Sequence, residues 1–263
     1  MEDVNDILFD DTEAKFLALQ NKKKKRKKRR RRFQVFAILI IIVLSSLYFV
    51  SDASKVKSLD VSGNQFYSKD EVLSKAGLSY NTRYILMPKL YIGWKLNQDD
   101  LIASVDIEKS NGSFQIKITE KTIVGYFVKD DKNYILMSDG NTKEIKSANL
   151  NAIVHYPLID GFKEEQLTQL ANSFQISGRE IEQETISMIS EIRPYATSYD
   201  ENMMLLIMQD GNAIYTDYAS MPLLNDYKDV VLKNIKKGTK TKVCVVMDDT
   251  TASLHTEDCN EFQ

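Results

Sequence analysis

Two histidines and two cysteines are all that 263 residues offer for the commonest metal-binding and nucleophilic chemistry. His155 precedes Tyr156-Pro157 and His255 stands near the C-terminal end. No His-Glu-x-x-His, no Gly-x-Ser-x-Gly and no Ser-x-x-Lys with its companion motifs occurs, so the common hydrolase signatures are missing. A Cys259 nucleophile with His255 as base lacks a surrounding cleft so close to the end of the chain. Asp248, Asp249, Glu257 and Asp258 lack the loop glycine and spacing of a calcium site and read as a solvated tail. No metal or cofactor is expected. Carboxylate pairs for sugar hydrolysis stay open, because their separation of about 5–9.5 Å exists only in the folded state.

Two cysteines are too few for the disulfide framework of a small secreted domain. Two readings of Cys244 stay open: a bridge to Cys259, worth about 3 kcal/mol for a loop of roughly 15 residues, or a small core residue.

Charge is absent over one long stretch. Phe33 to Val50 contains no charged residue, and thirteen of its eighteen residues are Phe, Val, Ile or Leu. As a helix it measures about 27 Å, close to the roughly 30 Å hydrocarbon core of a bilayer. Its transfer into lipid is favourable by about 4–8 kcal/mol at most, so Gln34, Ser45, Ser46 and Tyr48 do not prevent a crossing. A cleavable signal peptide fits less well, since its apolar region runs about 7–15 residues and "VSDAS" is a poor cleavage site.

Directly before this stretch stand eleven cations: Lys22, Lys23, Lys24, Lys25, Arg26, Lys27, Lys28, Arg29, Arg30, Arg31 and Arg32. Abutting the span, they orient it by the positive-inside rule and attract anionic headgroups, which leaves no need for a nucleic-acid reading. The expectation is a single-pass protein of the cell membrane, N-terminus cytoplasmic and C-terminus extracytoplasmic. Residues 1–50 hold 12 of the 35 Lys and Arg and 6 of the 37 Asp and Glu, leaving 23 against 31 and a net charge of −8 beyond Val50. An acidic exported part gives no electrostatic reason to bind nucleic acid. The acidic first 21 residues read as a mobile tail in preference to a short amphipathic helix.

Beyond the span, "VKSLDVSGNQ" alternates and ends in a Gly-Asn turn, a strand signal. Ser68 and Glu71 form a capping box for a short helix that ends at Gly77. Asn97 is placed to cap a second helix carrying Leu101, Ile102 and Val105. A hairpin follows, two alternating runs joined by Ser-Asn-Gly-Ser. "ILMSDGN" and "LIMQDGN" then repeat one turn chemistry in two further hairpins. Pro222 opens a helix with the stripe Leu223, Leu224, Tyr227, Val230, Val231 and Ile235. In "KTKVCVVMDD" a strand places Val243, Val245 and Met247 on one face and Cys244 and Val246 on the other. So apolar a strand is either covered or an open edge for strand addition by a partner. The class is α+β, with an antiparallel sheet in the later part.

The order strand, helix, helix, strand, strand behind a single span, with "VSGNQFYSKDEV", resembles a POTRA domain. With "EKTIVGYF", "YPLIDGF" and "ISEI" the chain as a whole resembles the bacterial cell-division family FtsQ/DivIB over roughly residues 30 to 250. It departs from the family at Asn111-Gly112-Ser113 and Thr122-Ile123, where Pro is common. The resemblance implies residues 1–32 as cytoplasmic tail, 33–50 as span, 51–121 as POTRA-like domain, 122–248 as distal domain and 249–263 as a short tail. It also implies a non-enzymatic division scaffold at the septum, bound to small single-pass coiled-coil proteins, FtsB/DivIC-like and FtsL-like. On that analogy the partner strand pairs along Val243, Cys244, Val245, Val246 and Met247, with Tyr215, Tyr218 and Tyr227 as aromatic anchors. The alternatives are an exported POTRA-containing sensor or secretion adaptor and, behind it, a membrane-anchored wall hydrolase.

Overall fold

The computed structural model describes residues 3–198, 200–233, 243–248 and 253–257. Two compact units divide it: one holds the N-terminal helix with residues 79–88 and 109–114, the other nearly all the rest.

Helix α1 runs unbroken from Asp3 to Val50. The expected mobile tail is therefore helical from Asp3 onward. The first 50 residues contain neither glycine nor proline, so nothing stops the helix of the span from propagating back through the cationic run. Within it, residues Arg26–Val50 are long and apolar enough to cross a membrane, and none of the apolar stretch is buried.

Five elements follow in the expected order of types: β1 (Ser58–Ser62), α2 (Lys69–Ala76), α3 (Lys89–Leu96), β2 (Ile102–Ser110) and β3 (Ser113–Glu120). The strands form a sheet in the order β1-β3-β2. The capping box of α2 is formed on both sides, and Gly77 closes the helix at φ 71°. Gly63, at φ 79°, passes so close to β3 that a Cβ would lie 2.1 Å from the Ile118 carbonyl oxygen, which explains the "SGN" of the POTRA-like signature. At the β2–β3 tip Asn111 (φ 49°) and Gly112 (φ 84°) supply the two positive φ values of a tight hairpin.

One assignment from the sequence is corrected here. The second helix precedes Asn97 and starts behind Pro88, while residues 102–110 are strand. Asp99 starts no helix; its carboxylate accepts from the Leu101 amide at 3.0 Å and turns the chain into β2. The β-branched residues Ile102, Val105 and Ile107 then favour the extended form.

The rest of the chain builds one nine-stranded sheet from β4 (Ile123–Lys129), β5 (Lys132–Met137), β6 (Thr142–Glu144), β7 (Leu158–Ile159), β8 (Ile189–Pro194), β9 (Met204–Met208), β10 (Ala213–Thr216), β11 (Cys244–Asp248) and β12 (Ser253–Glu257). Its order is β12-β11-β10-β9-β8-β7-β4-β5-β6. Most neighbours are antiparallel, but β4–β7, β7–β8 and β10–β11 are parallel. The parallel pairs follow from long connections: α4 (Glu164–Ser173) and α5 (Gln183–Ile186) lie between β7 and β8, and a helical segment between β10 and β11. That segment is a 3₁₀ turn, Met221–Asp226, followed by a π turn, Lys228–Leu232, where the sequence predicts one regular helix. Val230 is exposed, and Ile235 lies outside the described residues.

Gly125 gives the family-like motifs a physical reason. It sits at a bulge in β4, and a Cβ there would come within 2.6 Å of the Pro157 carbonyl oxygen and 2.9 Å of Ile159. The neighbouring Tyr126 amide donates to that same Pro157 oxygen at 2.9 Å. "IVGYF" and "YPLI" are thus the two halves of one close strand crossing. Behind the sheet one core gathers Leu136, Leu170, Phe174, Ile192, Leu206, Ile214, Leu224, Tyr227 and Val245.

Candidate partner-binding edge

The end of the sheet is assembled around the second Asp-Gly-Asn turn. Asp210 Oδ1 accepts from the Asn212 amide at 3.0 Å, and Gly211 takes φ 86°. The first copy does the same, with Asp139 Oδ1 accepting from the Asn141 amide at 3.0 Å and Gly140 at φ 82°. The second copy does more. Buried Asn212 accepts the Val243 amide on Oδ1 at 2.9 Å and donates from Nδ2 to the Tyr227 hydroxyl at 2.8 Å. The Tyr227 hydroxyl in turn donates to Asp210 Oδ2 at 2.9 Å. Burial, reinforced by that carboxylate, pushes the phenol well above its ordinary pKa, so it stays a donor. The chain therefore enters β11 on a fixed peg, and the Ala213 amide bonds the Val243 carbonyl at 3.1 Å.

From there Cys244, Val245 and Val246 run parallel to Ala213, Ile214 and Tyr215. On the opposite side Cys244 through Asp248 pair antiparallel with Glu257 through Ser253. This corrects the reading of Val243 to Met247 as an open edge: β11 is paired on both sides. Its side chains are enclosed too, since Val243, Cys244, Val245 and Met247 are buried and Val246 is half-buried. The cover is β12, whose polar "SLHTE" carries too little apolar alternation to read as a strand and falls within the expected C-terminal tail. Among the described residues, β12 and β6 are the outermost strands of the sheet.

The three tyrosines do not form a shared surface. Tyr227 is fully buried and Tyr215 nearly so, the latter edge-to-face with Tyr195 at 4.9 Å. Tyr218 is half-buried against the core. Fixed in the core by hydrogen bonds or ring packing, Tyr227 and Tyr215 are not accessible anchors, which corrects the assignment for these two. Cys244 is disulfide-bonded; the other cysteine in the sequence is Cys259. Of the eleven cations, Arg26 to Arg32 are exposed on α1, and the side chains of Lys22 to Lys25 lie outside the described residues. No cluster of three or more His, Cys, Asp or Glu fit to hold a metal occurs among the described residues.

A second polar cluster has no local sequence signal. Asp99 lies between Lys75 Nζ at 2.6 Å and Lys143 Nζ at 2.5 Å, and accepts from the Tyr67 hydroxyl at 2.9 Å. Burial raises the Asp99 pKa, but the lysine hydrogen bonds and the Leu101 amide outweigh it and hold the carboxyl well below its usual range. Glu120 behaves oppositely. Burial pushes it up despite amide bonds from Phe66, Tyr67 and Gln65 at 2.6, 3.1 and 3.1 Å. Lys143 belongs to β6, so this cluster ties the α2–α3 region to the far end of the large sheet.

These features define a protein with one apolar N-terminal helix that fits a single crossing, a β-α-α-β-β module and a mixed-sheet distal region. Residues 54–121 match the POTRA domain of FtsQ type. Over 202 residues the chain is 28% identical to the cell division protein DivIB of Bacillus cytotoxicus, covering 76% of this chain and 77% of that one. It is 29% identical to DivIB of Erysipelothrix rhusiopathiae over 193 residues, 72% and 70% of the two chains. The solved major extracytoplasmic domain of DivIB from Geobacillus stearothermophilus aligns with a TM-score of 0.35 at 15% identity, over 46% of this chain and 99% of that one. The chain is a relative of the DivIB cell-division proteins, with a division-related role.

Proposed function

We propose that the chain is a non-enzymatic, membrane-anchored scaffold of the division machinery. The N-terminal side of the span lies in the cytoplasm, the distal region lies outside, and the protein gathers at the septum. There it captures a small single-pass coiled-coil division protein, FtsB/DivIC-like with its FtsL-like companion, and so stabilises the complex that drives septal wall synthesis. The capture is strand addition. One observation carries this reading: the nine-stranded sheet ends in β12, which has no second strand beside it among the described residues. Such an edge offers alternating donors and acceptors to an incoming strand. The membrane orientation draws its support from the eleven cations preceding Phe33.

A fluorescent fusion of the full chain, imaged in dividing cells, tests the scaffold role. Enrichment at midcell late in division, lost when the distal region is deleted, is the expected result. Even distribution around the membrane throughout the cycle contradicts it.

A further inference from the structure

The junction between span and exported part is braced. The Ser51 amide continues α1 by bonding the Leu47 carbonyl at 3.1 Å, and the Ser51 side chain caps the turn Asp52–Ser54 by accepting from Ala53 at 3.2 Å. Arg83 then grips this point, donating from Nη1 to the Ser51 carbonyl at 3.1 Å and to Ser54 Oγ at 2.9 Å. The Val56 amide bonds the Thr82 carbonyl at 3.0 Å. Residues 82 and 83 are thereby held within side-chain reach of Val50, where the apolar helix ends. Ile85 and Leu86 follow two and three residues on, within about 8–12 Å of Arg83 along the chain. The headgroup layer on each side of a bilayer is roughly 5–8 Å deep.

The turn Tyr84–Leu86 points its polar groups inward and its apolar ones outward. Lys109 Nζ donates to the carbonyls of Tyr84 at 2.7 Å and Met87 at 2.8 Å. The Leu86 amide bonds the Arg83 carbonyl at 3.0 Å. Tyr84 packs on Phe114 at 5.3 Å with the Lys109 ammonium over its ring at 4.3 Å. What remains outside is Ile85 at 58% and Leu86 at 61% exposure. Scattered exposed leucines need no explanation. An adjacent exposed apolar pair, between the Tyr84 and Met87 carbonyls that Lys109 meets and beside the foot of a span, is suited to the membrane interface.

We propose that Ile85 and Leu86 insert into the outer headgroup–acyl boundary of the bilayer, a second membrane contact beside the span. The occupant of this surface is lipid, because it is continuous with the lipid-facing helix through Arg83 and Ser51. The proposal rests on the single-span reading.

The test uses the full chain with Trp94→Phe, which removes its one tryptophan, and a new probe, Ile85→Trp or Leu86→Trp. Each variant is reconstituted in phosphatidylglycerol/phosphatidylcholine vesicles carrying brominated acyl chains, with N-acetyltryptophanamide as the aqueous reference. Insertion to about 5–10 Å depth predicts blue-shifted emission and quenching by bromine well beyond that of the aqueous reference. Adding Arg83→Ala should weaken the quenching. Probes at both positions that match the aqueous reference, on a chain that floats with the vesicles, overturn the second contact and leave the span intact. A chain that does not float overturns both.

Discussion

Asn212 Oδ1 accepts the backbone amide of Val243 across 31 residues of chain, at 2.9 Å and out of contact with water. This one bond sets where β11 begins, and through β11 the register of β12.

Asn212→Ala leaves the buried Val243 amide without its acceptor and removes the bond that Asn212 donates to the Tyr227 hydroxyl, which keeps Asp210. The expected loss is about 2–4 kcal/mol, read as a lower urea midpoint of the region beyond the apolar helix. Partner capture should weaken in parallel, because the outer strand loses its seat.

Tyr227 separates core from anchor. Tyr227→Phe removes the hydroxyl between Asn212 and Asp210 and should cost about 1–2 kcal/mol while leaving the partner Kd of the folded protein unchanged. Tyr227→Ala empties a fully buried site and should cost about 3–5 kcal/mol. A loss of binding by a fully folded Tyr227→Phe protein would restore the tyrosine to the interface.

Gly63→Ala puts a methyl group against the Ile118 carbonyl at a backbone angle of φ 79°. The left-handed strain alone is worth roughly 1–2 kcal/mol, and the clash adds to it. A drop in thermal midpoint is expected, together with faster hydrogen exchange in β1 and β3; an unchanged midpoint would contradict the close approach.

Asp99 and Glu120 give acid titrations of opposite sign. The folded pKa of Asp99 lies below the unfolded value of 3.8, so its stabilisation is complete above that pH and vanishes as acid protonates the folded carboxyl. The folded pKa of Glu120 lies above 4.5, so its contribution is lost as pH climbs through the folded value. Asp99→Asn should lower stability at pH 7 and flatten the decline below pH 3.8. Glu120→Gln should flatten the change above 4.5. Urea midpoints between pH 2 and 7 check both.

What the sequence revealed was local. The Ser68–Glu71 box, the Asn111-Gly112 hairpin and both Asp-Gly-Asn turns are decided by residues within a few positions of each other, and each stands where its pattern places it. The second helix was misplaced because Asn97, Asp99 and Asp100 look like a helix start, whereas Asp99 is held by Lys75 and by Lys143, 44 residues later. For β11 the residues leave a covered strand and an open edge both standing, and the edge came from the resemblance alone; the cover, β12, is a polar strand that only pairing can reveal. The Tyr227 anchor failed for the same reason: its partners Asp210 and Asn212 are 17 and 15 residues away.

The outer row of β12 is tested most directly by two adjacent substitutions, His255→Pro and Thr256→Pro. Neighbouring amides of a strand point to opposite sides, so one of the two removes an amide bonded to β11 and the other only an outward donor. Strand addition predicts that one variant keeps the circular dichroism spectrum and thermal midpoint of the parent yet binds the coiled-coil partner at least roughly tenfold more weakly, about 1.4 kcal/mol. Parent-like affinity in whichever variant folds normally would contradict capture along this edge.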